Sequence, residues 1–163
     1  MVSYQQISLP LSLYGRADIN RLLREIAKID EFFLAAKARQ SGDNIQPPRV
    51  TRVLSALAKD NQLNLLQADD RKFLKDQLEA ILKRAPDLHI SFASDPTPRA
   101  LEKIVSWLRQ NIHPEALVVV GLQPGIAAGM VLRTPNRIFD MSLQAYLKQQ
   151  EGYLAKLIGE AAR

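Results

Sequence analysis

The chain has 163 residues, 47% of them apolar and 24% charged, and its 22 Lys and Arg against 17 Asp and Glu give a formal net charge of +5. That balance is enough to bury a core in one domain or two small ones, and it excludes a chain disordered throughout. With no Cys at all, disulfides, thiolate metal sites and Cys nucleophiles are excluded together, which suits a reducing compartment.

The first element in chain order is a helix beginning after Asp18, taken as its N-cap, and running to about Gln40. Ile19, Leu22, Leu23, Ile26, Ile29 and Phe33 repeat on it at three- and four-residue intervals. Ser41, Gly42, Asp43, Asn44 and the pair Pro47 and Pro48 form a polar break. A second helix is expected with Pro48 in its first turn and an apolar face of Val50, Val53, Leu54, Leu57 and Ala58. A third, from about Asp70 to Arg84, carries Phe73, Leu74, Leu78, Ile81 and Leu82 on one side and ends at Pro86. Three amphipathic helices with short connections can cover one another as a small bundle, although a buried stripe and a docking stripe look alike in sequence.

Beyond Pro86 the pattern changes. Residues 88–93 read as a strand, and a helix follows Thr97 and Pro98 with Leu101, Ile104, Leu108 and Ile112 as its stripe. Trp107, three residues from Ile104, suits either the core or the rim of a protein interface. Residues 117–120, Leu-Val-Val-Val, read as a fully buried strand. After the Pro124 and Gly125 break, residues 130–133 and 137–139 form two β-compatible runs around Thr134, Pro135 and Asn136, which predicts a hairpin. Asp140 is then expected to cap a final helix whose apolar residues are Leu143, Tyr146, Leu147, Leu154, Leu157 and Ile158. The predicted fold class is α+β: a small helical bundle over residues 1–86, then a strand-and-helix domain over 87–163 with a β-hairpin and a terminal helix.

Pro124, Gly129, Asp140 and Ser142, with the strand and helix that precede them, resemble the C-terminal signature of the delta subunit of F-type ATP synthases, the oligomycin-sensitivity-conferring protein family. The resemblance runs from about Leu88 to about Ile158. It implies a non-catalytic stator subunit that links the catalytic head to the peripheral stalk, with head alpha subunits and stalk b subunits as partners. The helical part would meet the head and the C-terminal part the stalk helices. By the same resemblance the chain would sit on the cytoplasmic face of a bacterial cell membrane, held there indirectly through the complex. Structural motif residues would be Pro124, Gly129, Asp140 and Ser142. Candidate interface residues are Trp107 and, on the exposed side of the final helix, Lys148, Gln149, Lys156 and Glu160.

The residues assign no catalytic, cofactor-binding or metal-binding role. His89 and His113 lie far apart, without ligand-spaced neighbours. No phosphate-cradling G-x-x-x-x-G-K-[ST] loop occurs. Asp69 and Asp70 suit a helix start better than a catalytic dyad. Residues 1–14 contain no Lys or Arg, so neither a secretory leader nor a transit peptide is expected. The apolar run 116–132, broken by Gln123 and Pro124, falls short of the ~20 residues needed to span a bilayer. An alternative reading is a basic adaptor binding nucleic acid through Arg16, Arg21, Arg24 and Arg39; the basic residues are spread along the chain rather than clustered, which disfavours it.

Overall fold

The structure, a computed structural model, describes residues 7–38, 48–153 and 155. Three helices come first, α1 (Arg16–Ala38), α2 (Arg52–Asp60) and α3 (Ala68–Arg84). Then follow β1 (Asp87–Phe92), α4 (Pro98–Asn111), β2 (Leu117–Leu122), a 3-10 turn at Pro124–Ile126, β3 (Gly129–Arg133), β4 (Ile138–Ser142) and α5 (Leu143–Gln149). Helices followed by a mixed sheet and a closing helix make the α+β class expected from the sequence.

The helices form where their apolar periodicity places them, but their starts differ from expectation. Helix α1 begins at Arg16, so Asp18 is inside the first turn rather than ahead of it. Its carboxylate reaches back to accept the Gly15 N–H at 3.2 Å, the third-position half of a capping box. Helix α2 starts at Arg52, not at Pro48. Thr51 is its N-cap and accepts the Leu54 N–H at 3.3 Å, while its own N–H and hydroxyl donate to Glu25 of α1. A cap tied to a neighbouring helix outweighs Pro48 as a start signal. In α3 the Asp70 carboxylate accepts the Asn64 N–H at 2.7 Å, a local structural role of the kind expected for the acidic pair. Arg71, nearly buried on α3, donates to Asp30 of α1 at 2.5 Å and to the Leu65 carbonyl at 2.9 Å, and stacks over Phe33 4.7 Å from the ring centre. It fixes α3 against α1.

The four strands lie in the order β2-β1-β3-β4, with β1 and β2 parallel and the other pairs antiparallel. Helix α4 is the crossover between β1 and β2, as a parallel pair requires. Along β1 burial alternates, with Leu88, Ile90 and Phe92 turned toward α4. These residues, with Leu101, Val105 and Leu108 of α4, Val118 of β2 and Leu132 of β3, form one apolar cluster. A second is built by Ile19, Leu22 and Ile26 of α1, Leu54 and Leu57 of α2, and Leu74, Leu78 and Ile81 of α3. The second cluster also takes in Leu9, Leu13 and Leu117, so β2 contributes to both.

Strand β2 departs from its reading as fully buried. It is one of the two edge strands; only Leu117 and Val118 are buried, and Val119 is 39% exposed. An unbroken apolar run reports affinity for a strand, not how many layers cover it. The described part of the final helix is α5, with helical residues again at 151–153 and 155 after a turn at Gln150. Leu143, Tyr146 and Leu147 of α5 are all exposed, while the predicted stripe positions Leu154, Leu157 and Ile158 lie outside the described residues, as do Arg39 and Gln40.

The link into β3 is tightly wound. Ala127 has φ 60° and ψ −58°, and the Ala128 N–H donates across it to the Ile126 carbonyl at 2.7 Å, which is a γ-turn of the strained hand. A residue with a β-carbon pays for that conformation and glycine does not. Ala127→Gly is therefore expected to stabilise the protein by about 1 kcal/mol, read as a raised urea midpoint at unchanged slope.

Candidate functional site

Two features of the C-terminal half converge, a cleft and the junction that holds one wall of it. The cleft follows from the strand register. Ile90 faces Leu132 across β1 and β3, and Leu132 and Met130 face Phe139 and Met141 across β3 and β4, so these side chains share the face on which α4 packs. Helix α4 covers β1 and Leu132 of β3 and leaves the β4 side of that face open. The result is a cleft of about 760 Å³ between Lys103, Ile104, Trp107, Leu108 and Ile112 on one wall and Met130, Leu132, Phe139 and Met141 on the other. Lys103 and Asp140 are the charged residues in its lining. Trp107 is 55% exposed on its wall and Phe139 42% exposed on the opposite one. Of the two settings open to Trp107, the structure gives it the exposed one.

The junction explains why the four motif residues are of the types they are. Gly129 has φ +94°, and a β-carbon there would overlap the Met141 carbonyl oxygen and come within 3.0 Å of Ser142 Cα. Only glycine lets β3 approach β4 so closely. Gly129 is the register partner of Ser142. Pro124 opens the 3-10 turn that buries Ile126. Asp140 corrects the sequence reading: it lies within β4, and Ser142 is the N-cap of α5, accepting the Ala145 N–H at 3.1 Å. The Asp140 carboxylate instead accepts the Ser142 N–H at 2.9 Å. Its pKa is held below the ordinary carboxylate value, first by a hydrogen bond from the Ser142 side chain and then by the one from the Ser142 backbone. Asp140 thus steadies the residue that caps the helix. The sequence displaced the cap by two residues because Asp and Ser are both good caps and β4 runs to residue 142 before the helix begins.

Other predicted residues stay apart from this cleft. Lys148 lines a separate hollow between Gly125, Ala127 and α5, and Gln149 is exposed beside it. Lys156 and Glu160 lie outside the described residues. On the basic face suggested for nucleic acid, Arg16 is already engaged, donating to Asp87 at 2.7 Å and to the Leu82 carbonyl at 2.8 Å. Among the described residues no group of three His, Asp or Glu is placed to hold a metal ion, and no helix is long and apolar enough to cross a membrane. The sequence reading missed the hairpin wall, although Phe139 and Met141, two apart on a strand, carry the signal for one shared face.

No family model matches the chain. Among curated proteins it is similar to the protein named ATP synthase subunit delta of Buchnera aphidicola subsp. Acyrthosiphon pisum strain APS, with 27% identity over 108 residues. The same protein from two further strains of that organism matches at the same 27% identity over 108 residues. The similarity covers 66% of this chain and 60% of the relatives' length. It is a distant likeness to delta subunits over two thirds of the chain, in agreement with the motif resemblance.

The junction yields two expectations. Gly129→Ala is expected to destabilise the protein by about 2–4 kcal/mol through backbone overlap and positive φ, measured by urea unfolding. Because the Asp140 pKa is lowered on folding, its contribution is present above the unfolded carboxylate value and is lost as pH falls through the lowered one. In a carboxyl-carbon NMR titration Asp140 is expected to show a midpoint below the ordinary carboxylate value, moving up toward it in Ser142→Ala, which also loses about 1 kcal/mol with the cap.

Proposed function

We propose that the chain is a non-catalytic stator subunit of an F-type ATP synthase, joining the catalytic head to the peripheral stalk and resisting the torque of rotation. The observation that carries this reading is the delta-subunit similarity over 108 residues, together with an apolar cleft built on the hairpin that bears Gly129, Asp140 and Ser142. The helical part, residues 1–86, meets the alpha subunits of the head, and residues 87–163 receive the b subunits of the stalk. The protein is then held peripherally at the cytoplasmic face of the membrane, through the complex alone.

The cleft suits an amphipathic helix in shape. At 14 residues α4 is about 21 Å long, and the hairpin strands opposite it, five residues each, are about 17 Å long. A guest helix of about three turns fits that length, with its i, i+4 and i+7 positions between Trp107 and Phe139. Apolar walls supply affinity, while Lys103 and Asp140 supply charges that fix the guest's orientation. A link that survives load at nanomolar affinity needs about 12 kcal/mol and typically ~1,600 Å² of buried surface. The cleft is one part of such an interface.

Co-purification of the tagged protein from membranes is expected to recover ATP synthase subunits, and a soluble complex without any of them overturns the proposal. Phe139→Glu, at an exposed position on the cleft wall, is expected to weaken stalk binding about 10–100-fold without altering the circular dichroism spectrum. Affinity measured against the isolated stalk helices checks this.

A further inference from the structure

Residues 7–14 precede the first helix, yet they are bound to elements made far later in the chain. Leu9 and Leu13 are buried in the helical cluster, whereas Tyr14 packs against the sheet cluster. The Tyr14 carbonyl accepts the Val118 N–H at 2.7 Å, and Ser8 exchanges two hydrogen bonds with the Asn61 side chain, at 2.7 and 3.0 Å. The segment is therefore a strap lying over both halves.

Its chief anchor is Arg109. The guanidinium donates to the carbonyls of Leu9 at 2.9 Å, Pro10 at 3.1 Å and Leu13. These partners are main-chain oxygens, and the buried Nε finds none. Burial accordingly lowers the Arg109 pKa, but a guanidinium so placed stays charged at any ordinary pH. A long cationic side chain that satisfies carbonyls instead of a carboxylate has a geometric task, because it can grip only a backbone held in one path. Arg109 also sits on α4, two residues after Trp107, on the helix that forms one wall of the cleft.

We propose that Arg109 and the strap of residues 7–14 are a mechanical coupling, which makes the helical bundle and the α4–sheet unit open and close as one body. Force or order imposed on α4 passes through the guanidinium to three backbone carbonyls, and from Leu9 and Leu13 into the core of the bundle. That this coupling carries load between two partners rests on the stator reading. The coupling itself does not, and it is tested on the isolated full-length chain. Arg109 is a positioning residue here, with no partner of its own to bind.

Native-state hydrogen exchange over a series of low urea concentrations separates this from a merely stabilising contact. In the wild type, amides of the bundle core (Ile26, Leu78) and of the sheet (Ile90, Leu132) are expected to converge on one opening with one urea dependence. Arg109→Met, which keeps the apolar stem, is expected to split them into two openings and to speed exchange of the Val118 amide at least tenfold. Two separate openings already in the wild type overturn the proposal, and so does an Arg109→Met protein whose halves shift together. Should that variant not fold, the wild-type convergence decides. Loss of ATP synthase partners in the co-purification would remove the load-bearing role and leave this result intact.

Discussion

The arrangement of the C-terminal half depends on a mismatch of widths: four strands about 4.8 Å apart present a face wider than one helix of about 10 Å diameter can cover. Helix α4 is the crossover between two parallel neighbours, so it must lie over β1 and β2 and cannot be centred on the sheet. The β4 side is left open on the α4 face. Its residues there, Phe139 and Met141, are nonetheless apolar, whereas Leu132 of β3 is buried with α4. Apolar side chains left uncovered at that edge cost solvation.

The ends of the hairpin are fixed locally. Thr134 and Arg137 close the turn, the Thr134 N–H donating to the Arg137 carbonyl at 2.8 Å and the Arg137 N–H to the Thr134 hydroxyl at 3.0 Å. At the other end Gly129 admits Ser142, and Leu143 donates its N–H to the Ala128 carbonyl at 2.9 Å. Local bonds at both ends thus hold the wall, the kind of preorganisation that lowers the ordering cost of any association. The motif residues are scaffold for the cleft rather than its lining, with Asp140 alone belonging to both.

Much of this was legible in the sequence, and the misses share a cause. Helices α1 to α4 and the hairpin follow from periodicity and turn chemistry, which are local properties. The helix starts at Arg16 and Arg52 were misplaced because several residues of capping type stood near each, and the choice was made by distant groups such as Glu25 on Thr51. The burial of β2 was misjudged because layer coverage is a property of topology. The cleft needs the strand order as well as the alternation, so Phe139 and Met141 could be placed on a common face but not opposite Trp107. Arg71 and Arg109 looked like two of many scattered basic residues; what singles them out is burial, which a single sequence does not display.

The presence of Leu117 in the bundle core has a consequence for how the chain is made. Every helix of that bundle is synthesised before β2, so the three helices are made with a gap in their common interior. At about 5–20 residues per second the roughly thirty residues from the end of α3 to Leu117 take a few seconds to synthesise. Until β2 is in place the bundle lacks one of its core residues, and the surface that Leu117 covers stays open.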